Sequence, residues 1–406
     1  MPPALLMDIV PLPMSVEQNI MSRWRRLGSP LAAMTALQAC VALAVFAVPV
    51  LAPHLGGGLS PALLGLYGVI VFGLGAVTSL FGGLLCNRIG PIRLAQAVLG
   101  CVMLAMLLLA AGQPIGFLLA AILLGLAFGP ETPASSAVLA QAAQPQERSL
   151  VFSLRQTGNQ IGAMAGSLLL PVLAAGDWRH GPWLVASAAL LLAIACQPLG
   201  RRFAATQART MRWQEGLALL QQNAGLGRLA AASLGYSAMQ MSLNTFLISF
   251  LTLELSLDFV AAGILLAVAQ GGGLIGRLSW GWMTRYLGGP AAVIAGLGLA
   301  MAICAILVGS VMPYLHGSGL FALVFLFGLT ASGWNGVFLA EVARHAPPDQ
   351  VAAATGAVLL ASYSGLVLAP LLVGLLASGL GYGAAFIFLG LLCLVGTWPL
   401  RKLVWP

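Results

Sequence analysis

A chain of 406 residues that is 60% hydrophobic and 7% charged, with a mean hydropathy of +0.98, has too little polar surface for a water-soluble domain of its size. The net charge of +8 sits in short breaks between apolar stretches, which reads as membrane topology and excludes a nucleic-acid footprint.

Residues 1–29 carry Pro2, Pro3, Pro11 and Pro13 and lack a charged start leading into an apolar run, so they are expected to be a cytoplasmic tail and no signal peptide. Crossing a bilayer takes roughly 20 apolar residues at about 1.5 Å each. Six such stretches follow: Leu31 to Ala52, Pro61 to Leu85, Ile92 to Ala111, Ile115 to Gln141, Ser149 to Ala175 and Pro182 to Leu199. After a basic linker, residues 201–228, six more run over Leu229 to Leu255, Phe259 to Thr284, Ala291 to Pro313, Gly319 to Val342, Val351 to Ser378 and Ala384 to Leu400. The expected fold is an all-α integral membrane protein of twelve transmembrane helices in two pseudo-symmetric six-helix bundles, residues 30–200 and 229–402, with 403–406 as a short C-terminus. Trp213, Leu217 and Leu220 share a helical face in the linker, as a helix lying on the membrane surface requires, although a plain tether fits as well.

Arginines cluster before span one, in the even-numbered gaps and in the linker, whereas the opposite loops hold only Arg179. Both termini are therefore expected in the cytoplasm, with the chain in the cytoplasmic (inner) membrane.

The second half restates the first. Gly83 and Gly90 recur as Gly281 and Gly288, Thr157-Gly158 recurs as Thr355-Gly356, and Pro171 recurs one residue further on as Pro370. Duplications of this kind mark two-bundle transporters. The segments Gly83-Leu-Leu-Cys-Asn87-Arg88-Ile-Gly90 and Gly281-Trp-Met-Thr-Arg285-Tyr-Leu-Gly288 resemble the loop signature of the major facilitator superfamily, Gly-x-x-x-Asp-Arg-x-Gly followed by basic residues. Asn87 replaces the usual acid, Pro91 stands where a base is usual, and Arg285-Tyr286 replaces the second Asp-Arg pair. The resemblance implies a secondary transporter in which these loops gate access and spans one, four, seven and ten line a cavity.

Polarity points to the same four helices. Spans three, six, nine and twelve carry no central charges, as lipid-facing helices require. Span one holds Gln38, span four Glu131, Thr132, Ser135 and Ser136, span seven Tyr236, Gln240 and Asn244, and span ten Trp334 and Asn335. The four-residue spacing in span seven makes a stripe down one face. Residues of this kind either line a substrate site or bond helices together.

Three charges lie deep in apolar spans, where an ionisable group costs about 2.5–3.5 kcal/mol on insertion scales. They are Glu131, Arg155 and Arg277. Glu131 and Arg155 fall at similar depths and are expected to pair, either as a proton-coupling switch or as a permanent bridge between spans four and five. Pro130 and Pro133 flank the glutamate and remove backbone donors from its turn. Glu254 and Asp258 fall in an outer loop, and Glu341 reads as a snorkelling end group. Gln156, Asn159 and Gln160 beside Arg155 add hydrogen-bonding capacity. Arg277 resembles the carboxylate-binding arginine of the monocarboxylate and oxalate/formate porters within the superfamily, although the aromatic first-span motif of the monocarboxylate group is absent. Shifting by the repeat offset brings Arg155 onto Ala353 and Arg277 onto Ser79, so neither deep arginine is duplicated.

Other chemistry finds little support. His54, His180, His316 and His345 lie on separate connections, and the six cysteines include no Cys-x-x-Cys pair, so no metal site is expected. Gly271, Gly273 and Gly276 spell a Gly-x-Gly-x-x-Gly pattern inside a span, where close helix packing is the expectation. Gly158, Gly162 and Gly166 form a ridge suited to sliding or to static packing. No enzyme activity and no cofactor are expected. The leading reading is a monomeric transporter coupling protons to a small organic anion. A proton-driven exporter of drugs or metabolites, using Met34, Met239 and Met241 as adaptable contacts, is the alternative, and a membrane receptor or scaffold without transport is the reading from another class.

Overall fold

The computed structural model describes residues 16–55, 59–144, 147–203, 213–347 and 351–404. Most of the expected N-terminal tail and the linker residues 204–212, with Arg209 and Arg212, lie outside them. Among the described residues the regular structure is helical throughout.

Proline and glycine set many of the helix ends. Helices α2 (Pro61–Ile89), α3 (Pro91–Ala110) and α4 (Pro114–Ala142) each begin on a proline, whose missing N–H costs nothing at a first helical position. Ser60 caps α2 by accepting the Leu63 N–H at 3.3 Å. Gly90, at φ 86°, makes the turn from α2 into α3. Its structural counterpart is Gly289, at φ 92° before Pro290, one residue beyond the Gly288 that the sequence repeat matches. Helix α1 (Val16–Leu51) begins within the expected tail, and α5 (Arg148–Ala174) and α6 (His180–Ala195) complete the first half.

Helix α7 (Trp213–Gln222) forms in the linker, where the spacing suggests a helix. Of its expected apolar face only Leu220 has a described side chain; it is half-buried beside the buried Leu219. Helices α8 (Ala224–Ser249), α9 (Phe259–Met283) and α10 (Pro290–Ser310) follow. Asp258 caps α9, accepting the N–H groups of Val260 and Ala261. Span ten is not continuous: α11 (Ser318–Ala331) and α12 (Asn335–His345) are separated by a turn at Ser332, Gly333 and Trp334. Spans eleven and twelve run together as α13 (Val351–Thr397), which turns at Gly381, φ 85°. Glu254 ends a short π-helical turn after α8 and accepts the Tyr382 N–H at 3.0 Å, capping the stretch beyond that turn.

Nine helices among the described residues are long and apolar enough to cross a membrane. Helices α5 and α8, of 27 and 26 residues, have the length but fall outside that set. They carry Arg155, Gln156, Asn159 and Gln160 on α5, and Gln240 and Asn244 on α8.

Close approach between backbones holds the helices together. Gly158 and Gly162 of α5 lie against the carbonyls of Thr35 and Ala39 on α1, while Gly166 meets only ordinary contacts. On α9, Gly273 and Gly276 pack against the α11–α12 region and Gly271 faces open space. Two duplicated prolines close one end of the molecule: Pro171 of α5 abuts Gly263 of α9, and Pro370 of α13 abuts Gly65 and Gly68 of α2. The Ala62 N–H donates to Ser378 Oγ at 3.1 Å beside the second contact. Any side chain on Gly65 or Gly263 collides with backbone oxygen there. Gly263→Leu is expected to hold this end apart and raise labelling of a cysteine placed at Ala369, a buried position beside Pro370, at least severalfold. Gly100→Leu on α3, whose site has nothing within 4 Å and lies outside the loop repeats, is the control and should leave labelling unchanged.

Candidate functional site

Away from the closed end, a cavity of about 590 Å³ opens between α1, α4, α5, α8, α9, α12 and α13. Gln38, Glu131, Gln156, Asn159, Gln240, Asn244, Arg277, Trp334 and Asn335 all line it.

Glu131 and Arg155 meet, with Arg155 Nη2 2.7 and 2.8 Å from the two carboxylate oxygens of Glu131, and both residues are buried. The carboxylate also accepts from Thr132 Oγ1 at 3.0 Å and from Ser135 Oγ at 3.2 Å. This shell of donors offsets the desolvation of the pair. Pro133 beside it packs on Gly82 of α2, so the proline serves helix packing as well as helix geometry. Arg155 itself does not line the cavity; Glu131 and Thr132 stand between it and the open space.

Arg277 reaches the cavity from α9. Its Nε donates to Ser332 O at 3.1 Å, its Nη1 to Gln156 O at 3.4 Å and its Nη2 to Gln160 Oε1 at 3.5 Å. Ser332 O is available because the helix breaks there. No carboxylate pairs with Arg277 among the described residues. An anion entering the cavity would supply its counter-charge.

A line of amides extends from this arginine. Asn159 Nδ2 donates to Gln160 Oε1 at 3.0 Å, Gln160 Nε2 to Gln270 Oε1 at 3.1 Å, and Gln270 Nε2 to Asn244 Oδ1 at 2.5 Å. It crosses from α5 to α9 to α8. On the other side Gln38 Nε2 donates to Gln156 Oε1 at 3.0 Å, and Asn335 Nδ2 approaches Gln240 Oε1 at 3.4 Å. The Trp334 ring packs edge-on against Tyr236 and Phe338.

Tyr236 departs from its expected place. Its hydroxyl donates to Ile294 O at 2.8 Å on α10, it is fully buried, and it does not line the cavity, so the stripe on α8 turns polar toward the cavity only at Gln240 and Asn244. Met34 and Met239 are likewise buried in packing, and only Met241 reaches the cavity. Glu341 does not snorkel: its carboxylate is fully buried and bound by Arg344 at 2.6 and 2.8 Å, with His345 at 3.4 Å. The loop residues lie apart from the cavity at the helix ends. Arg88 and Arg285 are exposed, Asn87 is half-buried, and a side chain at Gly83 or Gly281 would meet nothing within 4 Å. Gln270 is absent from the residues that the sequence singles out, yet it is the one strong hydrogen-bonding side chain in α9 before Arg277. It lies seven residues, or two turns, ahead of that arginine and therefore on the same face.

Three kinds of likeness bear on this arrangement. Over 131 residues the chain is 35% identical to a protein of Oryza sativa subsp. japonica named Probable anion transporter 6, covering 32% of this chain and 30% of that one. Over 180 residues it is 28% identical to an uncharacterized MFS-type transporter of Mycobacterium tuberculosis (strain CDC 1551 / Oshkosh), covering 43% and 40%. The matched segments thus span less than half of these relatives. Among solved structures, a mutant nucleoside transporter superposes with a TM-score of 0.75 at 14% identity over 93% of this chain and 99% of that one. A bacterial homolog of the human lysosomal transporter Spinster, inward-facing and occupied, gives 0.72 at 16% identity over 92% and 95%. Both show a shared fold. The sequence profile of the Major Facilitator Superfamily matches residues 32–368, and the chain belongs to that family of membrane transporters.

Proposed function

We propose that the chain is a twelve-span secondary transporter of a small organic anion, such as a carboxylate, coupled to protons and working by alternating access. Its bundles are residues 30–200 and 229–402, and both termini face the cytoplasm. The observation that carries the substrate class is Arg277, a cation in a cavity with amide groups around it and no carboxylate paired with it among the described residues. The named anion transporter among its relatives agrees with that reading. The cavity is of a size for a small solute.

The closed end made by Pro171 and Pro370 faces away from the cytoplasm in this reading, so the cavity opens inward. The bonds from Arg277 to α5 are long, at 3.4 and 3.5 Å, and a bound carboxylate would displace them with shorter, charge-assisted ones. Binding would then loosen α9 from α5, which meet again at Pro171 and Gly263. Glu131 lines the same cavity, pairs with Arg155 and is the carboxylate assigned to proton coupling in this reading. Gly83, Asn87, Arg88, Gly90, Gly281, Arg285 and Gly288 belong to the gating loops at the cytoplasmic end in this reading.

The test is reconstitution of the purified monomer in vesicles with an imposed proton gradient and labelled organic acids or lipophilic cations. Gradient-driven uptake of an acid is expected, with Glu131→Gln abolishing accumulation above equilibrium while exchange of labelled for unlabelled acid continues. Accumulation that survives in Glu131→Gln rejects the coupling role. Transport of cations in place of acids favours the exporter reading, for which Phe46, Phe128, Phe152 and Met241 in the cavity wall offer apolar contact.

A further inference from the structure

A second cleft, of about 770 Å³, lies outside the transport cavity, between the start of α3 and the short 3₁₀ turn Gln197–Arg201 after α6. Arg93 and Arg201 line it with Gln96, Gln197 and Ile194, and no acidic residue does. Three other arginines at this end are engaged: Arg26 pairs with Glu147 at 2.8 Å, Arg148 donates to Ala140 O and Arg202 to Arg26 O. Arg93 and Arg201 have no hydrogen-bond or ion-pair partner among the described residues. Arg93 also stands in the first turn of α3, where the helix dipole is already positive and a cation is unfavourable unless an anion is near.

The cleft is built into the packing. Gln96 Nε2 donates to Ala193 O at 3.0 Å, tying α3 to α6, and Gly200 lies close to Ile92. From it an apolar strip continues along α6, with Ile194, Leu191 and Leu190 at 56%, 67% and 47% exposure. These residues lie two to three turns from Arg201, toward the middle of the span. Two arginines without a protein partner among the described residues, near the ends of two candidate membrane spans and beside an open apolar face, fit an amphiphile whose anionic head sits in the cleft and whose chains run along the helix.

We propose that this cleft binds the phosphate headgroup of an anionic phospholipid, with the acyl chains lying on Leu190, Leu191 and Ile194. A free inorganic anion would have no use for the strip. The site is separate from the Arg277 cavity and does not depend on the transported solute.

The test is native mass spectrometry of the full chain released from detergent, titrated with phosphatidylglycerol or with phosphatidylcholine. Phosphatidylglycerol is expected to be retained about tenfold more tightly. Arg93→Gln with Arg201→Gln should remove that preference, and Lys402→Gln, an exposed cation outside the cleft, should keep it. A melting temperature equal to wild type in phosphatidylcholine certifies that the double variant is folded, and if it is not, each single substitution is expected to lose part of the preference. Equal retention of the two lipids, or a preference that survives in the variants, overturns the proposal. Complete displacement of the lipid by an equal concentration of inorganic phosphate assigns the cleft to a free anion and overturns the lipid assignment.

Discussion

Arg155→Leu is expected to be among the most damaging single substitutions in this chain. It strands the Glu131 carboxylate in a site that is 4% exposed, with only Thr132 and Ser135 to donate to it. Removing one partner of a buried pair costs about 3–5 kcal/mol, because the remaining charge keeps its desolvation penalty and loses its counter-charge. Glu131→Leu combined with Arg155→Leu should recover most of the lost stability, since replacing both partners with apolar groups is often neutral. Thermal unfolding of the two variants in one detergent measures the difference. The double variant then separates the two roles of the pair. If it folds and still accumulates substrate against a proton gradient, the pair is a bridge between α4 and α5 and nothing more. If it folds and catalyses exchange without accumulation, the pair carries the coupling.

Arg277→Ala should leave the fold standing and remove anion transport. The guanidinium donates to two backbone carbonyls and one glutamine oxygen, and only the Ser332 contact, at 3.1 Å, is of ordinary length, so the structural loss is about the 1.5–3 kcal/mol of one hydrogen bond to a charged group. A charge-assisted contact to a desolvated anion is worth about 2–5 kcal/mol when one partner is deleted. At about 1.4 kcal/mol per tenfold change, uptake at low substrate should fall by roughly a hundredfold. Arg277→Lys keeps the charge and loses the planar fork, so an intermediate loss is expected. Uptake kinetics on vesicles with matched protein content read both. An Arg277→Ala protein that transports acids at the wild-type rate refutes the substrate class.

The two substitutions differ because the arginines differ in surroundings that sequence position does not reveal. Both stand at similar depths in apolar spans. One meets a carboxylate on the neighbouring helix and the other meets the Ser332 carbonyl at a break between α11 and α12 and the Gln156 carbonyl of α5. The pairing of Glu131 with Arg155 can be anticipated, since depth along a helix follows from residue count and both charges need a partner. The environment of Arg277 cannot, because the turn at Ser332, Gly333 and Trp334 lies in a stretch that reads as one continuous span. Its glycine is unremarkable in a chain with 50 of them.

Tyr236, Gln240 and Asn244 make the same point on one helix. Their spacing places them on one face, but neighbouring helices decide what that face meets along its length: α10 takes the Tyr236 hydroxyl, and only the later residues reach open space. Gln270 is hard to find in the sequence because a lone amide in an apolar stretch has no periodicity to reveal it. Its importance comes from Gln160 and Asn244, which arrive from two other helices. Glu341 lies near a helix end, where a long side chain ordinarily reaches water, and only the packing of Val342 and its neighbours shows that it is buried.

The sequence by itself determined membership of a membrane-transport family, the all-helical membrane character and the boundaries of most helices. These follow from local causes: apolar length against bilayer thickness, proline at helix starts, and glycine where φ must be positive. It also carries a repeat at an offset of 198 or 199, in Gly83 with Gly281, Gly90 with Gly288 and Pro171 with Pro370. Only the tertiary structure decided that those two prolines meet Gly263 and Gly65 to close one end, that span ten breaks, and which polar side chains face a common cavity. Those outcomes depend on contacts between residues more than a hundred positions apart, such as Gln160 with Gln270 and Arg277 with Gln156. No local rule of spacing carries that information.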